Sequence, residues 1–300
     1  MDPLSEVFSL LNIRSARCTR LEAGGVWALR FPAKPALKFV AVTRGDCWIT
    51  LPDVEPTRLV GGDTFLLANA PPYVIANDQQ KAPEDGIALF DWDRSDIARH
   101  GGDDTVMLAG SFAFEESDAA ILLQALPAFM RIPADESASR VLRGTLEVLD
   151  QEIRSDRMGA SLVTRRLADV LLVQALRAYI AMNGAESHGW IGALSDPKIG
   201  AALRLLHRDV SRNWKVEELA RAVGMSRSAF ALRFKTLVGV PPLDYLLRWR
   251  MRRARDLLRR NDNLAAVAFR LGYQSESAFG NAFKRTYGRS PKRYCALEGR

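Results

Sequence analysis

The chain is poor in the side chains that hold metals and staple folds. It has three histidines and three cysteines in 300 residues. His100, His188 and His207 are scattered and form no H-x-H pair. A metal enzyme built on a small β-barrel needs two or three histidines and a carboxylate on one ion, so no metal, cofactor or catalytic group is expected. Cys18, Cys47 and Cys295 are odd in number and far apart, which argues against a disulfide framework and for a reducing, cytoplasmic setting. None has a histidine base near it in sequence; Cys18 and Cys47 read either as buried apolar cysteines or as redox-sensing thiols. No apolar run reaches the ~18 residues of a membrane span. Asp2 and Glu6 precede the first short apolar stretch, unlike the basic start of a signal peptide. A glycine-rich phosphate loop is missing as well.

What is present is an uneven charge. Residues 191–300 hold 23 Lys/Arg and 9 Asp/Glu, a net of +14, whereas the residues before them carry −7. A basic stretch joined to an acidic one points to a polyanion-binding module attached to something else. The alternative is a basic surface that is merely solvated.

The hydrophobic share of 48% suits a globular chain, and the length suits about two domains. Over residues 20–90, turn signals such as Gly24-Gly25, Gly45-Asp46, Gly61-Gly62-Asp63 and Pro71-Pro72 separate short runs rich in β-branched and aromatic residues. Leu37–Val42, Trp48–Leu51 and Thr64–Ala68 are such runs, and Thr105–Phe114 reads as the last strand. This is the pattern of a sandwich or small barrel. Trp27, Phe31, Phe39, Trp48, Phe65 and Tyr73 fall at strand positions and either fill its core or enclose a small apolar ligand. Helical periodicity follows at Ser117–Phe129, at Ser139–Arg154 with Val141, Leu142, Leu146, Leu149 and Ile153 on one side, and at Leu162–Met182. The last is apolar enough for core or for a dimer interface. Glu186–Pro197 reads as a linker. The expected fold is α+β: a sandwich or small β-barrel over 1–115, a helical segment for core or dimerisation over 116–190 and an all-α domain over 191–300.

The basic region contains a duplication. Leu219–Met225 resembles Val267–Tyr273, and Ser226-Arg227-Ser228-Ala229-Phe230 then pairs with Ser275-Glu276-Ser277-Ala278-Phe279. Phe234-Lys235 matches Phe283-Lys284, Gly239 matches Gly288, and Pro242 matches Pro291. A repeat at this period is one supersecondary unit used twice, and here it reads as helix, tight turn, helix. Gly224 and Gly272 suit the left-handed turn; Ser226 or Arg227, and Ser275, suit the following cap. The phenylalanines are core. The opposite faces present Ser228, Ala231, Leu232 and Lys235 in one unit and Ser277, Gly280, Asn281 and Lys284 in the other, as a helix lying in a major groove requires. Between the units, Leu243–Leu258 forms one helix. Its buried stripe is Leu243, Leu246, Leu247, Met251, Ala254, Leu257 and Leu258, with Arg248, Arg252, Arg255 and Arg259 on another face. That row is either solvated or set against phosphates; beside two helix-turn-helix units, phosphate contact is preferred.

These residues resemble the C-terminal domain of AraC-type (AraC/XylS) transcription regulators. The carriers are Val216–Phe230, Pro241–Leu258 and Leu271-Gly272-Tyr273 through Ser290-Pro291. Residues 2–130 resemble, less closely, the cupin-like N-terminal domain of one subgroup, through Gly45-Asp46-Cys47-Trp48, Gly61-Gly62-Asp63, Pro71-Pro72-Tyr73 and Ala109-Gly110-Ser111-Phe112. The resemblance implies a DNA-binding regulator, in sense an activator, whose cupin-like domain senses a signal or pairs subunits. Its partners would be double-stranded DNA, RNA polymerase, a small-molecule effector and a second copy of the chain. An enzyme of the cupin type fused to a DNA-binding module is the alternative. The chain departs from the family at Leu232 and Asn281, where arginine is frequent, and at Tyr73, where many relatives have histidine.

Overall fold

The computed structural model describes residues 13–114, 126–135, 139–155, 157–183, 189–259 and 262–298. These form two compact units, Ile13–Asn183 and Gly184–Arg300. The helices at 139–183 therefore belong to the same unit as the strands rather than to a segment of their own.

Among the described residues the first unit opens with eleven strands. They are β1 (Ile13–Ala23), β2 (Ala28–Phe31), β3 (Leu37–Arg44), β4 (Asp46–Leu51), β5 (Val54–Val60), β6 (Thr64–Leu67), β7 (Tyr73–Ala76), β8 (Glu84–Asp85), β9 (Ile97–His100), β10 (Thr105–Phe114) and β11 (Phe129–Ile132). A six-stranded sheet runs β11-β6-β3-β10-β1-β9 and a five-stranded one β5-β4-β7-β2-β8. Both keep their own edges, so hydrogen bonding does not close them into one ring. Alternation decides which residues meet between them: Leu21, Val40, Val42 and Phe65 of the larger sheet join Leu29, Phe31, Ile49 and Tyr73 of the smaller in a single apolar core.

The helix expected at Ser117–Phe129 falls largely outside the described residues, and Phe129 begins β11 instead. Two of the six aromatics expected inside also lie elsewhere. Phe39 packs on Phe112, ring centroids 6.0 Å apart, away from the shared core. Trp48 alternates with the buried Cys47 and Ile49 and so takes the outer face of β4. Trp27 and Phe65 are fully buried core residues.

Among the described residues two helices follow, α1 (Ser139–Arg154) and α2 (Ala160–Asn183). Leu142, Leu146 and Leu149 bury one side of α1, but Val141 is 66% exposed and does not belong to that stripe. Arg20, buried on β1, donates to Glu22 on its own strand and to Asp150 of α1. Burial pushes the Cys18 and Cys47 thiols up to about 12. A thiol held protonated is a poor nucleophile, which favours the buried apolar reading of both.

The second unit is helical: α3 (Gly189–Ser195), α4 (Pro197–Arg208), α5 (Val216–Ala222), α6 (Arg227–Val238), α7 (Pro242–Arg259), α8 (Leu264–Arg270), α9 (Glu276–Tyr287) and α10 (Pro291–Glu298). The stretch read as a linker thus contains α3. Asp196 then caps α4, accepting from the amides of Lys198 and Ile199 at 3.0 and 2.8 Å. Among the described residues no helix is long and apolar enough to cross a membrane.

Candidate nucleic-acid interface

Two small cores underlie the second unit. One gathers Leu203, Leu206, Leu219, Phe230, Phe234 and Leu246; the other gathers Met251, Ala254, Leu258, Val267, Phe279 and Phe283. Each is built around a helix-turn-helix, α5–α6 and α8–α9. The two turns are alike. Gly224 and Gly272 have φ of 64° and 81°, the left-handed conformation glycine adopts without penalty. Ser226 then accepts from the Ala229 amide at 3.3 Å and Ser275 from the Ala278 amide at 3.1 Å. These caps start α6 and α9, both of 12 residues, and both end at a left-handed glycine, Gly239 and Gly288.

The phenylalanine pairs fix which faces the helices turn outward. Phe230, Phe234, Phe279 and Phe283 are fully buried. Arg227, Ser228, Leu232 and Lys235 of α6 are exposed, with Ala231 partly so. On α9, Ser277, Asn281 and Lys284 are exposed and Gly280 is partly so; its cap, Ser275, is exposed as well. Leu232 is 70% exposed, an apolar side chain standing in solvent on a helix that has a core of its own. A Cβ at Gly280 would meet nothing within 4 Å. Among the described residues nothing asks for glycine there, although glycine in a helix costs about 1 kcal/mol against alanine. Arg227 reaches back to Glu217 at 2.6 Å, and Arg233 pairs with Asp196 at 2.5 Å.

The helix between the two cores, α7, spans about 27 Å at the usual rise per residue. Leu246 enters the first core and Met251, Ala254 and Leu258 the second. Its arginines do not share one environment. Arg248 is exposed and Arg252 and Arg259 are half-buried, but Arg255 is only 2% exposed, its guanidinium 5.5 Å from the Tyr287 ring and 5.9 Å from Tyr294. Arg255 is therefore a core residue, not a phosphate contact. The helix turns its row inward there because Tyr287 and Tyr294, from α9 and α10, cover that side. Leu243 is 43% exposed and lies outside the buried stripe, which runs through Pro242, Leu246 and Trp249 one residue to its side.

Sequence reasoning passed over Arg250. Its guanidinium donates to the carbonyls of Val210, Ser211 and Arg212 at 2.8, 3.2 and 2.9 Å and lies 5.7 Å from the Tyr273 ring. The same loop passes so close to Gly272 that a Cβ there would stand 2.0 Å from the Ser211 carbonyl oxygen. A residue of α7, a loop of the first half and the turn of the second are thus locked together. The signal available in sequence was weak: one arginine among several in a basic helix.

Of the aromatics read as ligand-enclosing, Phe31 and Tyr73 stack at 5.0 Å and line a cavity whose lining does not include Trp27, Phe39, Trp48 or Phe65.

A cupin family model matches residues 2–181, and a helix-turn-helix domain model matches residues 219–296. A putative AraC-like transcription regulator of Streptomyces antibioticus is 41% identical over 297 residues, covering 98% of each chain. The HTH-type transcriptional regulator AlkR of Acinetobacter baylyi is 30% identical over 303 residues, 98% of this chain and 99% of its own. The RCS-specific HTH-type transcriptional activator RclR of Escherichia coli is 29% identical over 299 residues, 98% of this chain and 97% of its own.

Proposed function

The chain belongs to the AraC-like family of transcription regulators, and on that premise we propose that α6 and α9 are the two helices with which it reads DNA. The observation that carries the proposal is the pairing of two serine-capped, phenylalanine-anchored helices whose outward residues are small, polar or basic, on a unit of strongly positive charge. On α6, Arg227, Ser228, Ala231 and Leu232 approach base edges, with Leu232 suited to a thymine methyl. On α9 the readers are Ser277, Gly280 and Asn281, with the Asn281 amide suited to an adenine edge and Gly280 giving the groove wall close approach. Ser275 lends its helix N-terminus to a phosphate. Lys235, Lys284, Arg248 and Arg252 hold the backbone, which carries little sequence information. Selecting bound sites from random DNA tests this: two half-sites about one helical turn apart are expected, and a single short site would remove one of the two readers.

Residues 13–183 are the regulatory part in this reading, the two facing sheets standing for the cupin barrel. They sense a small molecule or pair two chains. Pairing is supported by apolar residues left exposed seven apart on each helix, Val141 and Val148 on α1 and Val163 and Val170 on α2. Leu171, Leu176 and Ala178 of α2, a helix whose apolar side suits either core or a dimer interface, are buried within the unit. A cytoplasmic activator that meets RNA polymerase at its promoter fits the family. Light scattering at micromolar concentration is expected to give a dimer, and Val163→Lys with Val170→Lys a monomer; a wild-type monomer refutes the pairing.

A further inference from the structure

The space between the two sheets is not filled to its end. Beside Phe31 and Tyr73 lies a cavity of about 180 Å3, and strand register gives it two unlike ends. β1 pairs with β10, and β10 with β3, so that Arg17, Ser111 and Lys38 stand side by side across three strands. Two residues along, the row is Thr19, Ala109 and Val40; the next is Leu21, Met107 and Val42. Alternation puts all three rows on one face of the sheet. The floor of the cavity therefore grades from cationic to apolar.

Its charge is one-sided. Arg17, Lys34 and Lys38 line it, and among the described residues no aspartate or glutamate does. Arg17 already has partners, Asp96 at 2.7 Å and the Trp92 ring at 4.7 Å. Lys38 is held differently. Its Nζ donates to Tyr73 Oη at 3.1 Å and stands 5.4 and 5.0 Å from the ring centroids of Phe31 and Tyr73. Burial, and then the charge of Lys34, pull its pKa down to about 8. A half-buried ammonium with a phenol and two ring faces for company is short of a counter-charge. Across the strand gap, the Ser111 hydroxyl is buried with no hydrogen-bond partner among the described residues. A donor hydroxyl and an ammonium, opening onto apolar walls, complement a carboxylate with an apolar tail. An apolar cavity near 150 Å3 holds benzene, so this one admits an acid of roughly six to ten heavy atoms.

We propose that this cavity binds a small monocarboxylic acid, with its carboxylate on Lys38 Nζ and Ser111 Oγ and its apolar body against Val40, Met107 and the Phe31–Tyr73 pair. The inference rests on residues 13–183 being a sensing unit and adds the charge and size of what is sensed.

The test titrates hexanoate, cyclohexanecarboxylate and hexanamide into the full chain by calorimetry. At least one of the acids binds, and hexanoate binds at least tenfold more tightly than hexanamide. Lys38→Met lowers hexanoate affinity at least tenfold and removes its advantage over the amide. Ser111→Ala, which changes no charge, weakens hexanoate about threefold and keeps the proposal testable if Lys38→Met does not fold. Neither acid binding at millimolar concentration, equal binding of hexanoate and hexanamide, or a preference that survives Lys38→Met each overturn the site. Affinity for the selected DNA site, read in the same samples, separates the two claims. Acid binding that leaves DNA affinity unchanged removes the sensing reading and keeps the cavity. A cell extract that alters DNA affinity while neither acid binds keeps sensing and overturns the cavity.

Discussion

In the first helix-turn-helix unit Leu232 stands where the second has Asn281, Ala231 where it has Gly280, and Arg227 where it has Glu276. Other positions are held in common: Ser228 with Ser277, Phe230 with Phe279, Phe234 with Phe283, Lys235 with Lys284. The shared phenylalanines make the unit fold and the shared lysines hold phosphate in the proposed reading; Leu232, Arg227, Asn281 and Glu276, which differ, are left outward by the fold. A duplicated unit keeps its anchor because the core tolerates few volumes. Its outer face is constrained only by what it touches. One unit offers an apolar side chain and an arginine, the other an amide and an acid. Asn281 can discriminate by paired hydrogen bonds, Leu232 only by a methyl contact, so the second unit should carry more of the sequence preference.

The largest effects test the common anchor. Phe234→Ala and Phe283→Ala should each cost about 3–5 kcal/mol, the usual penalty for emptying a buried phenylalanine site, read by urea denaturation. A loss below about 1 kcal/mol at either would mean that the two units are not anchored alike. Next comes the contrast between the reading faces. Asn281→Ala should cost roughly 1–3 kcal/mol on the selected site and relax the preference at one position. Leu232→Ala should cost less than that, about 1 kcal/mol of lost apolar contact at most. Equal losses for Asn281→Ala on selected and random DNA would show that α9 does not read bases.

The Ala231/Gly280 pair permits a direct exchange. Gly280→Ala should stabilise the chain by about 1 kcal/mol and Ala231→Gly should destabilise it by a similar amount, from helix propensity alone. If glycine is there for close approach, Gly280→Ala also weakens DNA binding although the protein is more stable. A variant that is stabilised and binds DNA as before would leave the glycine unexplained. The smallest effect separates the arginines of α7. Arg252→Ala should weaken binding alike on all sequences and reduce the slope of log affinity against log salt by about 0.9. Arg255→Gln should leave that slope unchanged, because Arg255 is covered by Tyr287 and Tyr294.

Much of the DNA-binding unit was legible because its signals are local. Capping serine, turn glycine and phenylalanine spacing act within a few residues, so Ser226, Gly224 and Phe230 announce the same geometry in sequence as in space. Helix faces were harder. Periodicity says which residues share a side but not what lies against it, and so Arg255 and Leu243 were placed on the wrong ones. Val141 failed for the same reason, one step of 100° from the true stripe of α1.

The sequence by itself determined the repeated unit, its anchors, the charge that suits a polyanion and the family to which the chain belongs. All of these are carried by short spacings or by sums over residues, which folding does not alter. Only the tertiary structure decided that Arg250 ties the two halves together, that Phe39 and Trp48 turn away from the shared core, and that Arg17, Ser111 and Lys38 form one row. Those three residues are 21 and 73 positions apart along the chain. Their meeting depends on strand register, which is fixed by which faces of distant strands must be buried together, and no local pattern records that choice.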